Sequence, residues 1–467
     1  MDRLSVLDAE FLHLEDGIAH LHIAGVGVFM GAPPAPGDLE RLLAAKLHRI
    51  PRYRQRVRFV PLELGRPVWV DDPHFSLSYH VRRTALPSPG VDTDLRRLMA
   101  RLMSQPLDRE RPLWETWVVE GLAENRWALI TKVHHCMVDG ISGVDLLTVM
   151  LDVERDVELA EPEPWTPTPE PTGPAMVRDA WGGLVSDFAA VAGRWPGAAR
   201  DPLRLLRSAR ETGEGLVQLG RHLGGTPPLS IEGAIGPHRV WAHSSATIDD
   251  VRTIRKAFGG TLNDVVLAAV GRGYRELLLS RGEDADHAVV RTLVPVSLRG
   301  ADAHDVLDNR VSALLLELPV HIADPIERLR SVRDHMSALK GSHMAEVGGM
   351  VADVGNLAPP MIVGTVTRLA ARVTHRLPQR SINTVTTNVP GPQFPLYCLG
   401  REMLEYHPFV PITHGVRVGT AILSYNGKLA FGTTGDFDTA PDVGLLAAAI
   451  TDGIAELRDL AIETDAR

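Results

Sequence analysis

Cysteine is nearly absent from this chain: there are two in 467 residues, Cys136 and Cys398, far apart in sequence. Such a pair makes no disulfide framework and no zinc set, and it suits a reducing cytoplasm. An excess of basic charge is missing too. The net charge of −9 argues against nucleic acid as the main partner, because proteins of that kind carry a basic face. No apolar run reaches the ~18 residues that span a bilayer, so any membrane contact is expected to be peripheral. The opening MDRLSVLDAEFLHLEDG has acids where a secretory signal needs a basic start and an apolar stretch. What is present is ordinary globular composition, 44% hydrophobic and 23% charged, in a chain long enough for two domains.

Patterning sets the organisation. LHIAGVGVFM, residues 21–30, reads as a strand, and a helix runs from about Asp38 to His48, stopped before Pro51. PLWETWVVEGLAENRWALITKVHH reads as a hairpin turning at Ala123 to Arg126, and its second strand delivers His134 and His135. Ile141, Val144, Leu147, Thr148 and Leu151 then fall on one helical face. Residues 158–174 are rich in proline and acid and read as an extended linker. A helical segment over 175–223 follows, with an apolar stripe of Val177, Trp181, Leu184 and Phe188 and an arginine row at 200, 204, 207 and 210. The stripe reads as a helix packed on its own protein or as a surface resting on anionic lipid. From about residue 236 strands and helices alternate again: two helices split at Gly259-Gly260, strands near 288–300, 309–320 and 381–392, a helix over 323–341, a hairpin about Asn426-Gly427, and a last helix from near Pro441. The expected division is 1–157, a connecting segment 158–234, and 235–467.

The stretch KVHHCMVDGIS, Lys132 to Ser142, concentrates the chemistry. Along a strand successive side chains face opposite ways, so only one of His134 and His135 can face a given cavity. Adjacent histidines also make a poor metal pair, and no third ligand is evident from spacing, so no metal is expected. A structural pair or a general base remain, since neutral imidazole takes a proton near pH 7 without large tuning. Asp139 could orient the ring or pair with an arginine to hold the loop, and Gly140 lets the backbone turn closely. Cys136 reads as packing rather than as a nucleophile. Glycines in GAPPAPGD and GRGYRE lack the spacing and context of a dinucleotide fingerprint.

HHCMVDG matches the HHxxxDG pattern of acyltransferases related to chloramphenicol acetyltransferase and to peptide-synthetase condensation domains. LSVLDAEFLHLE, PLDRERPLWE, TLNDVVLAAV, VPVSLR, NRVSALLLELP and TNVPGP accompany it in order. Together they resemble the bacterial wax ester synthase/diacylglycerol acyltransferases, in particular the actinobacterial triacylglycerol synthases, over about residues 4–457. That resemblance implies an α/β fold of two chloramphenicol acetyltransferase-like lobes, mixed sheets covered by helices, with a channel between them. It implies acyl transfer from acyl-CoA to diacylglycerol, with long-chain alcohols as further acceptors, at a peripheral membrane or lipid-inclusion surface in the cytoplasm. Coenzyme A thioester is then a substrate and no cofactor is needed. Another alcohol or amine acceptor, or a non-catalytic lipid-surface protein, are the competing readings. By the same resemblance His135 is the general base, His134 packs beneath the loop, and Asp139 is a structural acid paired with Arg54 or Arg56. Asn263 is a candidate oxyanion donor, with helix capping by Asn263 and Asp264 as the alternative. Asp264 and Asn388 are candidate substrate-binding residues. Pro112, Leu113 and Trp114 are expected to pack.

Overall fold

The computed structural model describes residues 1–138, 150–182, 228–297, 311–341 and 382–465. Two six-stranded mixed sheets organise it. The first runs in the order Tyr397–Cys398, Arg401–Phe409, His22–Met30, Arg126–His134, Trp114–Leu122, Val81–Ala85. The second runs Val311–Leu318, Val290–Ser297, Thr384–Val389, Val418–Tyr425, Lys428–Asp436, Arg239–Thr247. Each sheet has a parallel element: Val81–Ala85 lies parallel to its neighbour, and Thr384–Val389 lies parallel to both of its neighbours.

Local chemistry accounts for most boundaries. The hairpin feeding the histidines turns through Glu124 and Asn125, both at positive φ, and its second strand starts at Arg126. The later hairpin turns through Asn426 and Gly427, again at positive φ, as a two-residue primed turn requires. Ile248–Phe258 and Leu262–Ser280 each open on a threonine cap answered by an aspartate three residues on, and Gly259 and Gly260, both at positive φ, break the helices apart. Pro325–Gly341 and Val443–Asp465 complete the helices expected in the second half.

The division drawn in sequence near residue 235 is not the division in space. Arg401–Phe409, from the second half, pairs antiparallel with His22–Met30 and extends the first sheet. It seats tightly: a side chain at Gly25 would collide with the Tyr406 hydroxyl, and one at Gly432 of the second sheet would collide with the Pro408 carbonyl. Trp241, from the edge of the second sheet, is buried in the first lobe's core beside Leu98, Met99 and Phe409, and its indole N–H donates to Pro408 O at 3.2 Å. The crossover strand therefore ties the lobes through both hydrogen bonds and buried apolar surface.

The acidic, proline-rich stretch before residue 174 is fastened to the first lobe rather than free. Glu170 accepts from Arg56 at 2.7 Å and Arg58 at 2.6 Å, Thr168 N–H donates to Asp71 at 2.9 Å, and Trp165 lies under the Arg54 guanidinium. A helix over 173–182 follows, with Met176 and Ala180 buried against Val60, Val68 and Val70. The rest of the 175–223 segment lies outside the described residues.

Candidate active site

The Arg126–His134 strand ends in a single 3₁₀ turn, His135–Met137. The backbone of both histidines is clamped from two sides. His134 N–H donates to Leu113 O at 2.9 Å, and His135 N–H donates to Leu21 O at 3.0 Å. Leu113 and Trp114 are almost wholly buried, so the PLW stretch serves as packing behind the histidines. The Trp114 indole donates to Tyr53 O at 2.9 Å and its ring stacks on His80, with centroids 4.5 Å apart.

The two imidazoles have opposite environments, as alternation along a strand demands. His135 is half-buried and stands against Phe11 of the Val6–Leu14 helix, with ring centroids 4.2 Å apart. His134 is completely buried. It caps the turn that carries its neighbour: His134 Nδ1 accepts from the Cys136 N–H at 3.2 Å. Cys136 is itself buried, and burial pushes its thiol well above the ordinary value, which suits packing and not nucleophilic attack.

Beneath His134 is a polar cluster that the spacing of the motif did not announce. Glu15 Oε1 lies 3.5 Å from His134 Nε2 and 3.0 Å from His22 Nε2. His22 and His134 are directly opposite one another on neighbouring strands. Leu21 N–H donates to the same Glu15 oxygen at 3.0 Å, and Arg109 reaches Oε2 at 2.6 Å. Burial alone would raise the Glu15 pKa. The bonds to His134 and His22 outweigh it and hold the carboxyl well below the usual carboxylate range. Burial pulls His22 down to about 3 against the pull of Glu15, so that ring is neutral at physiological pH.

Among the described residues, Glu15, His22 and His134 are the group whose ligand-type atoms converge, all within 4.8 Å of one another. The sequence offered no third ligand; the fold supplies one in Glu15. The chemistry of His134 still opposes a cation. Its Nδ1 lone pair is taken by a backbone N–H, which places the ring proton on Nε2, the atom that faces Glu15. A ligating histidine has the reverse arrangement, donating from its outer nitrogen.

The remaining sequence candidates divide. Asp139 and Gly140 lie outside the described residues. Arg56, expected with Arg54 as a partner for Asp139, pairs with Glu170 at 2.7 Å, where the 158–174 stretch brings that acid alongside, and lies 3.8 Å from Glu110. Arg54 lies with its guanidinium 4.6 Å from the Trp165 ring centroid. The helix cap expected at Asn263 and Asp264 sits at Thr261. Buried Asp264 is its reciprocal partner, accepting the Thr261 N–H at 2.7 Å, so this carboxylate is used in capping rather than presented to a substrate. Asn263 and Asn388, distant in sequence, are brought together: Asn388 Nδ2 donates to Asn263 Oδ1 at 3.1 Å. That bond joins the start of a helix to the Thr384–Val389 strand and turns the Asn263 amide so that its own NH₂ points elsewhere.

Residues 4–266 match the wax ester synthase/diacylglycerol acyltransferase catalytic domain, and residues 307–458 match the C-terminal domain of the same family. The chain belongs to this family. It is 38% identical, over 98% of its length and 96% of the relative's, to a protein of Mycobacterium tuberculosis designated "Probable diacyglycerol O-acyltransferase tgs1". Among solved structures it resembles the wax ester synthase/diacylglycerol acyltransferase from Marinobacter aquaeolei VT8, with 26% identity, a TM-score of 0.68, and coverage of 98% of this chain and 99% of that one. A trichothecene 15-O-acetyltransferase from Fusarium sporotrichioides shares the fold at 12% identity and a TM-score of 0.59, covering 98% of this chain and 95% of the other. The two-lobed acyltransferase fold and an acyltransferase activity follow for this member of the wax ester synthase/diacylglycerol acyltransferase family. Its HHxxxDG segment begins at the buried and half-buried histidine pair just described.

Proposed function

We propose that the chain transfers a long-chain acyl group from coenzyme A to the free hydroxyl of diacylglycerol, with His135 as general base. The observation that carries this reading is the contrast within the pair: His134 is completely buried, while His135 is half-buried on a turn held from both sides. The hydroxyl oxygen attacks the thioester carbon, the C–S bond breaks, and the hydroxyl proton passes through His135 to the departing thiolate. The thioester is already activated, so the reaction needs no resident cofactor and no covalent enzyme intermediate. The negative charge that develops on the carbonyl oxygen requires a donor. The Asn263 NH₂, turned by Asn388, is assigned that role.

The acceptor is a lipid, and the chain meets it from the side. None of the described helices is long and apolar enough to cross a membrane. Trp181, within helical residues 173–182, is 55% exposed, and Leu62, in the neighbouring Pro61–Glu63 turn, is 82% exposed. Leu62 and Glu63 both sit at positive φ, a conformation that disfavours side chains and here holds Leu62 outward. These residues are the proposed contact with a membrane or lipid-inclusion surface in the cytoplasm. Two experiments test the whole. Labelled palmitoyl-CoA offered with diacylglycerol, long-chain alcohols and amines should yield triacylglycerol; product only from an amine, or none at all, rejects the assignment. Replacing Trp181 and Leu62 with serine should lower the fraction floating with liposomes without changing the melting temperature, and unchanged flotation rejects the contact.

A further inference from the structure

We propose that Glu15 is a positioning residue for acyl transfer, acting through His134: its carboxylate fixes the tautomer in which His134 caps the turn carrying His135. The inference rests on His135 as the base.

His134 Nδ1 accepts the Cys136 N–H, and this bond is the cap of the His135–Met137 turn. A neutral imidazole has one donor nitrogen and one acceptor, so Nδ1 can accept only while the proton is on Nε2. Nε2 is buried, makes no hydrogen bond with a described residue, and has the Glu15 carboxylate 3.5 Å away. The Glu15 carboxylate is thus what favours a proton at that position. Without it, the tautomer protonated at Nδ1 gains ground, turns that hydrogen toward the Cys136 sulfur 2.9 Å away, and leaves the Cys136 N–H without its acceptor. The cap opens, and His135 loses its fixed place. Glu15 is held for this task by Leu21, His22 and Arg109, which between them engage both carboxylate oxygens. It stands just past the end of the Val6–Leu14 helix, whose Phe11 touches the His135 ring, so one segment supports both histidines.

A double-mutant cycle tests this. Glu15→Leu should lower kcat by roughly 10²-fold, the scale of a misplaced reacting group, with the KM for acyl-CoA held within about twofold. Glu15→Gln keeps an acceptor oxygen and should recover most of the rate. His134→Asn supplies a capping oxygen but is too short to reach Glu15, so in that background Glu15→Leu should cost no more than about threefold. Additive losses, a loss confined to KM, or equal losses in Glu15→Leu and Glu15→Gln each overturn the proposal. Where Glu15→Leu does not fold, ¹⁵N NMR of histidine-labelled wild-type protein decides, with the His134 resonances assigned through His134→Asn. An Nε2–H signature is expected, and an Nδ1–H ring or an imidazolium refutes the mechanism. A wild-type rate in His135→Ala would remove the base and leave the His134 tautomer result standing, so the two failures are distinguishable.

Discussion

The interiors of the two lobes are built differently. Behind the first sheet, titratable groups are packed into the protein: Glu15, His22, His80, Lys132 and His134 are all nearly inaccessible in their side chains, and each is paired. Lys132 donates to Leu102 O at 2.9 Å, and burial pushes its pKa down to about 8. The interior of the second lobe is aliphatic, with Val265, Val266, Leu267, Leu277, Ile450 and Leu446 between helices and sheet. Its buried polar groups divide between hydroxyls, such as Tyr274 bonded to Thr384, and charged residues, such as Arg291, Arg328 and Asp436. Buried charges are costly unless paired, whereas aliphatic packing is tolerant and strong. The first lobe is organised to place one imidazole, and the second to be a firm platform for Asn263 and Asn388.

That contrast can be broken by mutation. The largest effect is expected at the base: His135→Ala should lower kcat by ~10²–10⁴ with little change in melting temperature, and a rate within tenfold of wild type refutes the role. Next, Asn263→Ala should lower kcat by ~10²–10³ while leaving the helix intact, because its cap is Thr261; a threefold loss would return Asn263 to a structural part. In the second lobe, Leu277→Ala should instead cost ~2–5 kcal/mol of stability, read by denaturant titration, with the turnover of the folded fraction unchanged.

The smallest effect comes from pH. Burial pulls both His80 and His407 down to about 4, so the fold holds them neutral. The unfolded chain takes up protons below about 6.5, and the folded one does not until near 4. Their contribution is therefore complete above about 6.5 and is lost as the pH falls toward 4, at up to about 1.4 kcal/mol per pH unit for each ring. The melting temperature should fall between pH 7 and pH 5, and His407→Leu should flatten that slope. An unchanged slope would show that His407 does not contribute.

Much of this was legible beforehand. The hairpin that ends in His134 and His135 was readable from two apolar runs around AENR, and the two helices from the Gly259-Gly260 break between them. These are signals of short range, carried by residues a few positions apart. The crossover of Arg401–Phe409 into the first sheet was not legible, because a strand does not name its partner. The pairing of Arg56 with Glu170 was not legible for the same reason: that acid belongs to a stretch that reads as an extended linker. Glu15 lay inside a quoted motif, LSVLDAEFLHLE, yet nothing in that stretch says that its carboxylate ends beneath His134. The cue would have been an acid followed by HLH at the start of a strand, with two histidines on another.

The sequence by itself determined which elements form, that one of two adjacent histidines must be hidden, and the family to which the pattern belongs, since each depends on neighbours along the chain. Only the tertiary structure decided which histidine is hidden, that Glu15 stands beneath it, and that Asn388 turns Asn263. These are contacts between residues more than a hundred positions apart, and a hydrogen bond is fixed by position in space.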